Sequence, residues 1–208
     1  MHGRYPDYDV LEQARHWDEV TRRVVLDRVH NVPPIRFFGP DEALALEAFC
    51  DVVTHQDADP RIPVLNYVDE GLHEGRLDGY RYEGLPDDGE TWRTVASGLD
   101  EEAGRLGLAR FADGDWDRRK EIVRRFAHGN LELGIDCAHA WAVVTRMILS
   151  AFYAHPWAWN EIGFGGPAYP RGYSRFGSPH LGSETEEWEG EEAFAVDPVE
   201  DTVSRGLE

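Results

Sequence analysis

Histidine is the residue type in this chain best suited to hold a metal ion, and the chain has nine histidines. Helical metal ligands lie three or four residues apart, because that spacing puts both side chains on one face. No two histidines have this spacing. His139 and His155 lie sixteen residues apart, at opposite ends of one predicted helix. The spacing favours structural histidines and predicts no metal site.

A glycine-rich stretch, Gly163-Phe164-Gly165-Gly166, could in principle cradle a phosphate. The dinucleotide-binding fingerprint needs a strand before it, a helix after it and an acidic residue about 20 positions further on. Here a predicted helix comes before the glycines and Pro167 directly after them. The context therefore does not support a phosphate-binding loop.

Nucleophile and carboxylate patterns also fail to form an active site. The chain has no Gly-x-Ser-x-Gly elbow, and its Ser, His and Asp residues match no triad spacing. Carboxylate pairs such as Asp57 with Asp59, or Glu101 with Glu102, fall in predicted loops or on polar helix faces. We therefore predict no catalytic, cofactor-binding or metal-binding residue in this chain.

The charge balance limits the kinds of partner. Forty acidic and 21 basic residues give a formal charge of -19, which would repel a phosphate backbone and argues against nucleic acid.

The 208 residues fit one domain with an appendage, and the seven tryptophans and 41% hydrophobic residues can form a real core. No membrane span or export signal is visible, so we expect a cytoplasmic protein unless a partner carries it out.

The two cysteines, Cys50 and Cys137, are too few for a disulfide framework. Buried thiols in a reducing compartment are the favoured interpretation. A single bridge between them, or to a partner, stays open.

The element that must position any site is a predicted helix from Cys137 to about His155. Arg146 is the only formal charge between Cys137 and Tyr153, so this helix is expected to lie against apolar surroundings. Pro156 should end the helix, since proline lacks a backbone donor and disfavours helical dihedrals in the preceding residue. A Gly/Pro-rich loop dense in aromatic residues is predicted to follow.

Helical periodicity accounts for most of the remaining chain. Further helices are expected in five stretches, which begin at an Asp9 cap, at Pro40 (to about Thr54), at Pro63 (to about Gly75), at Thr91 (to before Gly107) and at an Asp115 cap. No long alternating pattern indicates a sheet. The fold class is therefore predicted as all-α, an irregular bundle of about six helices with an aromatic loop and an acidic C-terminal tail.

The domain prediction has three parts: an N-terminal amphipathic helix and linker at 1–36, a helical domain at 37–177, and the tail at 178–208. Between Ser183 and Glu208 the tail holds ten acidic residues against the single Arg205. This composition is typical of a solvated segment, or of a strap that wraps onto a basic surface of another chain.

Taken in order, several segments resemble the gluconate 2-dehydrogenase subunit 3 family. They are Phe37-Phe38, the Pro40-Asp41-Glu42 helix start, the helix from Leu46 to Val53, and the end of the late helix with its loop. The resemblance covers about residues 37–177. Recurring family positions are matched at Phe152, Pro156, Asn160, Ile162, Gly163, Pro167 and Pro170. This chain departs from the family in having Ala158-Trp159 where a Gly-Gly is common, and in lacking a twin-arginine signal.

The resemblance implies a non-catalytic small subunit that binds and stabilises a large FAD-dependent sugar or alcohol dehydrogenase of the glucose-methanol-choline type. A cytochrome c subunit could accept the electrons. Any FAD would be held by the large subunit. The residues expected to bind the partner are Phe152, Pro156, Trp157, Trp159, Asn160, Phe164, Tyr169 and Tyr173.

Two alternatives stay open from the residues. One is a self-sufficient helical oxidoreductase that uses a metal at His139 or His155. The other is a transient assembly chaperone for the flavoprotein. A third interpretation of the aromatic loop is that it only closes over the core of its own chain.

Overall fold

The computed structural model describes residues 9–76, 79–162 and 164–167. These residues form seven α-helices and two short 3-10 helices, and no strand occurs among them. The predicted all-α class is therefore confirmed. Within the same residues, no helix is both long and apolar enough to cross a membrane.

The helices are numbered in chain order. They are α1 (Glu19–His30), α2 (Pro40–Val53), α3 (Val64–His73), α4 (Asp88–Arg105), α5 (Trp116–Ala127), α6 (Cys137–Tyr153) and α7 (Pro156–Ile162). The 3-10 helices are Val10–His16 and Phe111–Asp113.

Contacts divide the chain into two compact units. We call Val32–Ala154, which holds α2 to α6, the central unit. We call Met1–Asn31 together with His155–Glu208 the terminal unit; it holds the first 3-10 helix, α1 and α7. The predicted boundaries after residues 36 and 177 stay predictions.

The central unit is organised around α2, which contacts α3, α4, α5 and α6. Phe49 of α2 is fully buried, and its ring lies 5.8 Å from Phe126 of α5 and 6.2 Å from Trp141 of α6. Aromatic pairs at these centroid distances add to the free energy gained from burial. The periodic apolar positions of the sequence therefore meet in one core.

Aspartates begin three of the central helices. The side chains of Asp87, Asp115 and Asp136 each accept a hydrogen bond from the backbone N–H three residues on. Such caps satisfy donors that the first turn leaves unpaired. The Asp115 cap is confirmed, whereas α4 begins before the predicted Thr91 because Asp87 caps it.

The predicted N-terminal helix is two helices. Asp9 caps the 3-10 helix as expected, but the chain is extended at Trp17 and restarts at Asp18, which accepts from the Thr21 backbone N–H. The second aspartate can satisfy a helix start of its own, so the continuous stripe does not form. As a result Val25 is buried and Val24 is 46% exposed, although a continuous helix would place Val24 on one buried stripe with Val10, Ala14, Trp17 and Thr21.

The segment after Pro156 was predicted as a loop and instead begins with α7. Proline ends a helix that it would interrupt, but at the first position of a new helix its fixed φ is favourable and its missing donor costs nothing. Pro156 therefore separates two helices rather than a helix and a loop.

Candidate partner-binding surface

Trp159 of α7 lies in the core of the terminal unit. It is 6% exposed and packs with Val10, Trp17 and Val25. Burying one large aromatic ring stabilises a fold by a few kcal/mol, because it removes apolar surface from water. This predicted anchor therefore contributes to the stability of its own unit; its contact with a partner stays a prediction.

Asn160 joins α7 to the beginning of the first 3-10 helix. Its Oδ1 accepts a hydrogen bond from the Val10 backbone N–H at 2.8 Å, and its Nδ2 donates to the Asp9 carboxylate at 3.3 Å. The side-chain amide can pair with a backbone donor and a side-chain acceptor at once, because it carries both an acceptor oxygen and a donor nitrogen. Asn160 thus has a structural function within the terminal unit.

The glycine-rich segment after α7 closes over the same core. Gly166 has a φ of +85°, and a Cβ there would lie 2.9 Å from the Trp17 ring and 3.1 Å from Val10. Phe164 packs edge-on against Trp159, with ring centroids 5.5 Å apart, and remains 38% exposed. Among the described aromatic residues of this segment, Phe164 presents the most ring surface to solvent.

His155 and Trp157 form a second pair in the terminal unit. The Trp157 backbone N–H donates to His155 Nδ1 at 3.2 Å, and the two rings meet edge-on at 4.9 Å. His155 is 2% exposed. Burial, which penalises the charged imidazolium, lowers the pKa of His155 to about 4. The ring is therefore neutral near pH 7, while Trp157 is half-buried and keeps an accessible edge.

The remaining predicted residues are distributed as follows. Pro156, the first residue of α7, is buried. Phe152 belongs to the central unit, where it is 8% exposed. Tyr169 and Tyr173 lie outside the described residues, as does the acidic tail.

Two exposed residues of α6 were missed by the sequence reasoning. Helical spacing puts Leu149 on one apolar face with Trp141, Val144, Ile148 and Phe152, which predicts that it is buried, but Leu149 is 42% exposed. Tyr153 is 47% exposed. They follow Ala138 and Ala142 on one helical stripe, since residues 138, 142, 149 and 153 recur at spacings of four and seven. That stripe is the signal that could have identified them.

The two histidines with a proposed metal alternative lie in separate units and have different surroundings. His139 stacks on Tyr82 at 4.3 Å, and its Nδ1 is 3.4 Å from the Asp136 carboxylate. Within the residues that the structure covers, no group of three or more His, Cys, Asp or Glu side chains is placed to hold a metal ion. Each histidine ring instead packs against an aromatic ring, His139 against Tyr82 and His155 against Trp157.

Both cysteines are free thiols. Cys50 is buried in α2, where burial and the nearby Asp51 and Glu47 carboxylates raise its pKa well above the usual value. Cys137 is partly exposed at the start of α6, and its Sγ donates to the Phe126 carbonyl at 3.7 Å.

The fold and these surfaces define a helical bundle with apolar side chains presented to solvent from α6 and from the segment after α7. The chain belongs to the gluconate 2-dehydrogenase subunit 3 family, whose model matches residues 40–166. The family is named for one subunit of a dehydrogenase complex, so its members have partner subunits. No curated protein and no solved structure matches the chain.

Proposed function

We propose that this chain is a non-catalytic accessory subunit that binds and stabilises an FAD-dependent sugar or alcohol dehydrogenase. The observation that carries the proposal is the family match, which runs from the first residue of α2 to Gly166 and so includes every helix of the central unit. The family name supplies the class of complex. That this chain is a non-catalytic subunit of the complex is our inference.

The surface supports this assignment. An accessory subunit needs exposed apolar side chains through which it can bind its partner. Leu149 and Tyr153 on the central unit, and Phe164 on the terminal unit, are each more than a third exposed. Exposed aromatic and aliphatic side chains of this kind are typical anchors of protein interfaces.

In the proposed complex the large subunit holds FAD and accepts the hydride from a substrate hydroxyl. This chain contributes binding energy to the folded large subunit. Because it binds the native form and not the unfolded one, it raises the stability of the flavoprotein by mass action. A cytochrome c subunit is a further proposed partner.

Co-expression with an FAD-dependent dehydrogenase of the glucose-methanol-choline type, which we expect to be encoded in a neighbouring reading frame, tests the proposal. We expect a lasting complex on size exclusion that carries flavin absorbance, and a higher melting temperature for the flavoprotein in the complex than alone. Separate elution of the two chains would overturn the proposal. Stoichiometric iron or zinc in the purified chain, with turnover unaided, would favour a self-sufficient metal enzyme instead. Loss of the chain once the flavoprotein has matured would favour a chaperone.

The predicted anchors can be tested in the same complex. Trp157→Ala and Phe164→Ala each remove one of the aromatic residues predicted to bind the partner. Both residues belong to the terminal unit and are partly exposed. We expect each to weaken the complex at least about tenfold. Val24→Ala is the matched control, because Val24 is a similarly exposed apolar residue of the same unit. Unchanged affinity in both Trp157→Ala and Phe164→Ala would place the interface elsewhere.

A further inference from the structure

A pocket in the central unit lies between the loop that joins α2 to α3 and the start of α5. It has a volume of about 260 Å³. The side chains around it that can contact a ligand are Asp51, Asp57, Asp59, Arg61, Trp116 and Arg119. Drug-sized ligands commonly occupy about 300 to 1,000 Å³, so this pocket suits a smaller and more polar molecule.

The loop that forms one wall of the pocket is fixed by the buried Gln56. The side-chain oxygen of Gln56 accepts a hydrogen bond from the Ile62 backbone N–H at 2.6 Å, and its nitrogen donates to the Ile62 carbonyl at 3.2 Å. The same nitrogen donates to the Thr54 hydroxyl at 3.0 Å. Both ends of the loop are therefore joined through one side chain. A wall held in this way loses little further conformational freedom when a ligand binds.

The charges of the pocket nearly balance. Arg61 forms an ion pair with the buried Asp51, and its Nε donates to the Asp59 carboxylate at 3.0 Å. With Asp57 and Arg119, the lining holds three carboxylates and two guanidinium groups. An ion of either sign would therefore lie beside side chains of its own sign, which repel it. The lining favours neither an anion nor a cation.

The pocket offers both hydrogen-bond acceptors and hydrogen-bond donors. Asp57 is exposed, so its carboxylate can accept hydrogen bonds from a ligand. Arg119 uses Nη2 to donate to the Ala112 carbonyl at 2.5 Å, whereas its buried Nε has no hydrogen-bond partner among the described residues. Buried donors in proteins are ordinarily paired. An oxygen atom of a ligand would supply the acceptor that this guanidinium lacks.

Trp116 gives the pocket an apolar face. It is the first residue of α5, it is half-buried, and its ring meets the His55 ring edge-on at 5.7 Å. The face of an aromatic ring is electron-rich, so C–H groups with a small positive charge pack favourably on it. A sugar ring has C–H groups on its faces and hydroxyls around its edge. Each hydroxyl can donate one hydrogen bond and accept others.

We propose that this pocket binds a neutral polyol of the size of one sugar ring. The ring packs on Trp116. Its hydroxyls donate to Asp57 and Asp59 and accept from Arg119. A neutral hydroxyl pairs with carboxylates and guanidinium groups alike, which an ion of either sign does not. The inference goes beyond the proposed function, since it concerns ligand binding by this chain alone.

Titration of the full chain with D-glucose tests the proposal. The NMR signal of the Trp116 indole N–H, assigned by its loss in Trp116→Phe, should shift and saturate with a Kd of about 1 to 10 mM. Saturation-transfer NMR of glucose measures binding to the variants. We expect the Kd to rise at least about tenfold in Trp116→Ala and at least about fivefold in Asp57→Ala.

Asp117→Ala is the matched control for Asp57→Ala. Asp117 is also an exposed aspartate, and it belongs to α5 but does not line the pocket. This variant should bind glucose as the wild type does. The melting temperature of each variant shows whether it folds, and Asp57→Ala keeps the test decisive if Trp116→Ala does not fold.

The charge of the ligand is tested with two relatives of glucose. D-glucuronate carries a carboxylate on the same kind of ring, and protonated D-glucosamine carries an ammonium group. We expect neither to bind more tightly than glucose. Tighter binding of glucuronate would make this an anion site, and tighter binding of glucosamine would make it a cation site. Either result would overturn the proposed ligand class.

Two further results would overturn the pocket itself. One is the absence of a saturable shift at glucose concentrations up to about 100 mM. The other is wild-type affinity for glucose in the folded Asp57→Ala and Trp116→Ala variants. These measurements use the chain without a flavoprotein, so their failure leaves the proposed accessory function intact. Failure of the chain to bind the flavoprotein would likewise leave the polyol pocket intact.

Discussion

The side-chain oxygen of Asn160 accepts a hydrogen bond from the backbone N–H of Val10, 2.8 Å away and 150 residues earlier in the chain. This bond joins the first 3-10 helix to α7 within the terminal unit. Asn160 matches a recurring position of the family and was predicted to bind a partner. Its observed contacts give it a structural function that does not depend on any partner.

Asn160→Ala should destabilise the terminal unit by about 1 to 2 kcal/mol, because the Val10 donor loses its acceptor in a part-buried position. Hydrogen exchange at the Val10 amide is the direct measurement, and it should become faster by about tenfold or more. Asn31→Ala is the control, since the Asn31 amide bonds only the exposed carboxylate of Asp27. Unchanged exchange in Asn160→Ala would show that this bond is not maintained in solution.

The sequence predicted the helices of the central unit better than those of the terminal unit, for a physical reason. The starts at Pro40 and Asp115 and the end of α6 near His155 depend on caps and prolines, which act over three or four residues. The packing of Gly166 on Trp17 and the hydrogen bond from the Val10 N–H to Asn160 depend on contacts between distant segments. Local patterns do not encode such contacts.

The same distinction explains the candidate site. Trp159 and Phe164 were both predicted to bind a partner, because both are aromatic residues of the same stretch. That pattern could not separate the buried Trp159 from the exposed Phe164. The open space beside Gly71 of α3 was not predicted either, because it depends on a side chain that glycine lacks. A glycine within a helical pattern is ordinarily read only as a weak position.

Asp69 was likewise not identified from the sequence, although its carboxylate is fully buried. It accepts backbone hydrogen bonds from Arg36, Phe37 and Phe38 at 2.7, 2.9 and 3.0 Å. It therefore fixes the segment that leads into α2.

Asp69→Ala should lower the free energy of unfolding by about 2 to 4 kcal/mol, since three donors lose a charged acceptor. Asp69→Asn should cost less, because one side-chain oxygen remains. Urea denaturation measures both, and Asp57→Ala, at an exposed loop aspartate, should stay within about 0.5 kcal/mol of the wild type. Equal stability of Asp69→Ala and the wild type would show that Asp69 does not fix the segment that leads into α2.

The two thiols should react at different rates. Burial removes Cys50 from solvent and raises its pKa, so little thiolate is present to attack a reagent. Cys137 is partly exposed. In the native protein a thiol reagent should label one cysteine quickly, and peptide mapping should identify it as Cys137. Labelling of Cys50 at a comparable rate would mean that the core of the central unit opens readily.

Protonation of His155 should destabilise the protein in mild acid. Its folded-state pKa is lowered to about 4 from an ordinary value of 6.5, so the unfolded chain binds the proton more readily than the folded one. Stability is therefore complete above about pH 6.5 and falls as the pH decreases toward 4, with a total loss of up to about 3 kcal/mol.

The His155 prediction can be checked by an NMR titration of the ring and by unfolding at pH 7 and pH 4.5. His155→Gln should lose this part of the pH dependence, whereas His128→Gln, at an exposed histidine, should retain it. A His155 titration midpoint near 6.5 would show that the ring is accessible to water.

Gly71 and Gly98 form a matched pair for the last prediction, because both are helical glycines of the central unit. A Cβ at Gly71 meets nothing within 4 Å, whereas a Cβ at Gly98 would lie 2.2 Å from Cδ2 of the buried Leu133. Gly71→Ala should therefore stabilise the protein by about 0.5 to 1 kcal/mol, since alanine is the better helix former. Gly98→Ala should be destabilising, because displacing a packed leucine commonly costs about 1 to 3 kcal/mol and exceeds the gain in helix propensity. Thermal unfolding of the two variants measures the difference. A loss of stability in Gly71→Ala would contradict the open space beside Gly71.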